Sequence, residues 1–146
     1  MISEIDHGQD DGPKISVRQI SVHSGSSKGS WRIGWRVENL ARHMLRLNAA
    51  RFPHGQFKAA GQRFEPALVL GHTERVEFEA TIACAEPAGV IVENVFVIFS
   101  AVWQDKPWRI FVRLRVVVNA EGKPNVVTEL ITTQQVGFSN EMRSAD

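Results

Sequence analysis

From Lys14 onward the chain alternates apolar and polar positions in short runs separated by turn residues, a period of two that predicts antiparallel strands. In the clearest run Trp31, Ile33, Trp35 and Val37 alternate with Arg32, Gly34, Arg36 and Glu38, giving one core face and one charged face. Val76, Phe78, Ala80, Ile82 and Cys84 alternate with Glu77, Glu79, Thr81 and Ala83 in the same way. Trp108, Ile110, Val112, Leu114, Val116 and Val118 share one parity, and Val126 to Val136 supplies a last strand. Ile15 and Val17 lie on one parity and Ile20 and Val22 on the other, so a strand there requires a bulge near Arg18-Gln19.

Other segments are less regular. Ser24 to Ser30 reads as a loop. Residues 40–51 suit both periods, with Leu40, Met44 and Leu47 on a helical face and Leu45, Leu47 and Ala49 alternating; a short strand from about Leu45 is the favoured reading. Phe52-Pro53-His54-Gly55 is a turn signal, and Gly61, Pro66 and Gly71 make the stretch up to 71 a long irregular connection with one short edge strand at most. Val90 to Trp103 is apolar at nearly every position and rich in β-branched and aromatic residues, which predicts a central strand covered on both faces. It forms a long hairpin with Trp108 to Val118.

Seven or eight strands with no β–helix alternation predict an all-β chain, an antiparallel two-sheet β-sandwich of immunoglobulin-like type. The paired cysteines of antibody domains are missing, and a jelly roll or another sandwich is the alternative. The expected organisation is an acidic N-terminal tail over 1–13, one domain over 14–138 and a C-terminal tail over 139–146.

Charge and composition narrow the function classes. The net charge is +1, and because Glu4, Asp6, Asp10 and Asp11 contribute −4, the remainder carries +5. That is mildly basic without a dense Lys/Arg stripe, so a nucleic-acid partner is not expected. No apolar run nears the roughly 18 residues that span a bilayer, and the first six residues lack the basic and apolar regions of a leader, so no membrane association or export is expected. The single cysteine, Cys84, forms no intrachain disulfide, which fits the cytoplasm.

No constellation of residues points to catalysis, and no cofactor motif is present. Asp105, in a tight turn, is the one Asp outside the tails, and Cys84 has the parity of an inert core thiol. His43, His54 and His72, two of them in loops that a sandwich could gather at one end, are weak metal candidates without the spacing of a metal motif, and a metal-dependent enzyme using them is a further alternative. Glu77 and Glu79 share a face as a carboxylate pair would, yet Arg32 and Arg36 do the same nearby, so cross-strand ion pairing is the expectation. Trp31, Trp35, Trp103 and Trp108 raise a carbohydrate platform as an alternative, but their parities favour packing.

The remaining signal is an apolar face. If Gln104 to Pro107 is a four-residue loop with Trp103 opposite Trp108, then Ile110, Val112, Leu114 and Val116 oppose Ala101, Phe99, Val97 and Val95 on the core side. The other side carries Val102 beside Arg109, Ser100 beside Phe111, Ile98 beside Arg113 and Phe96 beside Arg115. A face holding Phe96, Ile98, Val102 and Phe111 calls for a cover, either the 40–71 connection or N-terminal segment of the same chain, or a partner. Aromatic residues interleaved with Arg109, Arg113 and Arg115 are the composition of an interface core. The sequence therefore suggests a non-catalytic protein-interaction or structural module that self-associates through this face.

Overall fold

The computed structural model describes residues 12–137, which form eight strands and no helix. In chain order these are β1 (Ile15–Ser24), β2 (Ser30–Asn39), β3 (Leu45–His54), β4 (Phe57–Leu70), β5 (Arg75–Ala83), β6 (Ile91–Trp103), β7 (Lys106–Val118) and β8 (Pro124–Gln135). The acidic tail expected over 1–13 lies outside the described residues except for Gly12 and a buried Pro13, and the tail expected over 139–146 lies wholly outside them.

All neighbouring strands pair antiparallel in the order β1-β2-β5-β4-β3-β6-β7-β8. The sheet is thinnest between β4 and β5, where the one backbone partnership is Lys58 with Ala83. At its two ends β1 and β8 run side by side, so the sheet wraps around one core and nearly closes like a barrel. Side chains sew this seam in place of a backbone ladder. The Gln19 amide donates to Pro124 O (3.0 Å) and accepts from Val126 N (2.9 Å), while Thr128 Oγ1 donates to Val17 O (2.8 Å). Satisfying the last strand's backbone this way blunts two edges that would otherwise invite foreign strands.

The core is aromatic and aliphatic. Trp35 packs against Phe52 (centroids 5.9 Å apart) and edge-on to Phe57 (6.3 Å), and Phe78 meets both Phe64 (5.0 Å) and Phe99 (6.0 Å). A Cβ at Gly34 on β2 would run into the Ser21 hydroxyl, which would have to turn aside. That crowding sits at the β1 bulge, which falls between Gln19 and Ser21, one residue past its expected place.

The long irregular connection expected before Gly71 is instead two ordered strands. β3 starts at Leu45 as expected but continues through the supposed turn to His54, and β4 adds 14 residues. Register shifts between Leu47 and Ala49 and between Ala50 and Phe52 break the alternation, so Phe57, Phe64 and Leu70 are all buried without sharing one parity. Pro66 falls where β4 leaves the ladder, the position at which a sheet tolerates proline.

The β6–β7 hairpin is tighter than expected. Gln104 and Asp105, at φ 51° and 64°, form a two-residue loop of the kind that matches strand twist, and Trp103 pairs with Lys106. From Val95 to Trp103 each cross-strand partner is therefore two residues from its expected one. A two-residue slip preserves the side-chain period, so the inward and outward faces survive while the neighbours change. Trp103 and Trp108 still meet, edge to face at 5.9 Å, as a diagonal pair.

Candidate functional site

The outer face of β3, β6, β7 and β8 holds the seven sequence-derived candidates. The ladder sets them in rows: Arg46 beside Val102, Ser100 beside Arg109, Arg51 beside Ile98 and Phe111, and Phe96 beside Arg113 and Leu130. Arg115 neighbours Val127 of β8 and not Phe96, because the two-residue hairpin loop sets Phe96 opposite Arg113. Phe96, Ile98, Val102, Phe111, Arg113 and Arg115 are half-buried, and Arg109 is exposed.

The double covering expected of β6 is not observed. From Val95 on its residues alternate buried and half-buried, and the 40–71 stretch that was a candidate cover lies in the same sheet as β3, next to β6, and β4. Leu130 and Val127 extend the apolar area onto β8 with 47% and 48% of their surface open. Across β3 a groove of about 680 Å³ opens between Asn48, Ala49 and Ser100 on one side and the off-ladder segment Arg63–Ala67 of β4 on the other.

Electrostatically the face is lopsided. Arg46, Arg51, Arg109, Arg113 and Arg115 all lie on it, and among the described residues the one carboxylate within 4.0 Å of any of them is Glu129. Glu129 stands 3.7 Å from Arg113 Nε and 3.9 Å from Arg115 Nε, close enough for attraction but too far to hydrogen-bond either. Both Nε atoms are buried and have no hydrogen-bond partner. β8's contribution escaped the sequence reading because its parity switches at a bulge beside Glu129, and β3's because its register depends on tertiary pairing. Apolar residues on both parities of 126–131 were the available signal.

The other candidate sites do not assemble. His54 lies at the β3–β4 turn and His43 just before β3, so the ten-residue length of β3, roughly 30 Å at strand rise, separates them. His72 Nδ1 is 2.8 Å from Ala41 O, and His54 Nδ1 accepts from Gln56 N. Among the described residues no three His, Cys, Asp or Glu side chains come together as a metal site would require. Trp35, Trp103 and Trp108 are buried, and the half-buried Trp31 donates from Nε1 to Cys84 O, so no exposed tryptophan row exists. Arg36 does pair with Glu77 (2.7 Å) across β2 and β5.

At the end of the molecule formed by the β1–β2, β5–β6 and β7–β8 connections, a cavity of about 490 Å³ has Lys28, Glu86, Glu121 and Cys84 as its ionisable lining. Burial pushes the Cys84 thiol above its ordinary value, outweighing the backbone hydrogen bond from Glu86 that lowers it, so the thiol is un-ionised and a poor nucleophile. At the opposite end Asn39, fully buried on β2, donates from Nδ2 to the carbonyls of Leu70 (2.9 Å), His43 (3.0 Å) and Gly71 (3.2 Å) and accepts from Ala41 N (2.9 Å). It fastens the β2–β3 and β4–β5 loops together, a structural role that nothing in the alternation pattern marked.

Comparison with protein-family models and with curated proteins finds no match to this chain. Among the described residues no helix is long and apolar enough to cross a membrane.

Proposed function

We propose that this chain is a non-catalytic interaction module of the cytoplasm, built on a two-layer immunoglobulin-like sandwich. One layer is β1-β2-β5, the other β3-β6-β7-β8, and β4 crosses between them. It assembles with another protein chain through the outer face of the second layer. The strand order and the single partnership joining β4 to β5 support the two-layer reading. One observation carries the function: large apolar side chains at Phe96, Ile98, Phe111, Val127 and Leu130 retain solvent access on one sheet face while alternating with arginines. A chain with no partner gains nothing from that arrangement, whereas aromatic residues and arginine are the types enriched where protein surfaces meet.

Size exclusion with light scattering tests this, on the chain isolated from its native host with whatever it holds, beside Phe96→Asp prepared identically. Wild type runs as an assembly, and the variant runs as a monomer with an unchanged near-ultraviolet spectrum. A wild-type monomer carrying nothing, or an assembly that both Phe96→Asp and Phe111→Asp leave intact, refutes the proposal.

A further inference from the structure

We infer that the occupant of this face is an acidic, aliphatic segment of a different protein, a conclusion that rests on the interface reading above. The argument is charge complementarity. Five arginines with one carboxylate in ion-pair reach sum to 5 − 1 = +4, and the Arg63–Glu65 pair beside the groove adds nothing to that balance. Two copies of the chain stacked face to face would oppose +4 with +4, a juxtaposition that selects against self-pairing.

The spacing also fits a polypeptide. β7 presents Arg109, Phe111, Arg113 and Arg115 at a two-residue repeat of roughly 6.6 Å, the repeat of any extended chain laid along it. Beside it β6 offers Phe96 and Ile98, contacts for aliphatic side chains. Arg113 and Arg115 share Glu129 without a hydrogen bond to it and keep 38% and 43% of their side-chain surface open, leaving room for a partner's carboxylates. A nucleic acid would use the same cations, but the face also carries aliphatic Ile98, Val102 and Leu130 among its arginines, which suits side chains better than stacked bases.

The test is fluorescence anisotropy with the full chain and three labelled probes: a peptide of leucine and glutamate in equal number, its leucine/lysine counterpart, and a single-stranded oligonucleotide of the same length. The leucine/glutamate peptide binds. Its affinity falls about ten-fold for the triple variant Arg109→Gln, Arg113→Gln, Arg115→Gln, each pair contributing modestly. It falls again from about 0.1 M to about 1 M NaCl, as the screening length shrinks from about 10 Å to about 3 Å. The exposed Arg109→Glu alone reports the same direction should the triple variant fold poorly. A tighter oligonucleotide, equal binding of the lysine peptide, or no binding of the glutamate peptide overturns the inference. A dimer of the pure chain that Phe96→Asp splits also overturns it, because the occupant is then a second copy, and the interface reading survives. If Phe96→Asp alters neither peptide binding nor any assembly, the interface reading itself falls.

Discussion

Removing the Asn39 side chain should be among the most damaging single changes available outside the aromatic core. Asn39→Ala deletes three bonds donated to carbonyls and one accepted from Ala41 N. The His43 and Gly71 carbonyls lie in loops where water replaces the lost donor, so their net cost is small. The bonds to Leu70 O and from Ala41 N are buried, and each group left without a partner costs about 1–3 kcal/mol. The sum is about 3 kcal/mol, a large share of the roughly 5–15 kcal/mol that holds a domain folded and worth about 10 °C in Tm at this size. Urea unfolding followed by tryptophan emission measures it as a fall in midpoint at constant slope.

Asn39→Asp sharpens the test. Its carboxylate keeps the bond from Ala41 N but turns an ionised oxygen on three carbonyls in a buried site. That raises its folded-state pKa above the unfolded value of about 3.9, so the stability it retains is present below that pH and lost as pH rises through the folded pKa. At pH 7 the Asp variant should therefore be less stable than the Ala variant, and the order should reverse in acid. An Ala variant within about 0.5 kcal/mol of wild type, or an Asp variant equal to it at neutral pH, would show that Asn39 does not staple the loops.

Two further perturbations read other parts of the molecule. Gln19→Ala removes the amide that bonds both Pro124 O and Val126 N, at a cost of about 1–2 kcal/mol, and should accelerate amide exchange on β8 more than on β2; uniform exchange would deny the seam. Cys84, 3% exposed with its pKa raised by burial, should resist thiol reagents until the chain unfolds. Because the folded thiol holds its proton to higher pH than the unfolded one, its contribution to stability is complete below about pH 8.5 and declines above it. Rapid labelling of native protein, or stability that rises with alkaline pH, would contradict this.

Much of the strand content was legible because it depends on local alternation. β2, β5 and β7 each keep one parity from end to end, so burial of one face and solvation of the other can be read from Trp31 to Val37 or Trp108 to Val118 without knowing their neighbours. The outward placement of the seven residues on β6 and β7 was legible for the same reason, and an offset of two residues in hairpin register leaves it unchanged because two is the side-chain period. β4 was not legible. Its inward residues Phe57, Phe64 and Leu70 follow bulges imposed by pairing with β3, and Gly61 and Pro66, the usual marks of irregular chain, serve those bulges.

What the residues determined alone is therefore whatever rests on neighbours along the chain: the all-β class, the inward and outward faces of the regular strands, the inert core position of Cys84 and the apolar/arginine alternation at Phe96 to Arg115. What the tertiary structure decided rests on neighbours in space. It brought Arg46, Arg51 and Glu129 onto the same face, set Arg115 beside Val127, kept His54 away from His43, and closed the seam through Gln19. The physical reason is that strand pairing is a long-range choice, settled by bulges and loop lengths whose energetics belong to pairs of strands, so no single run of residues contains it.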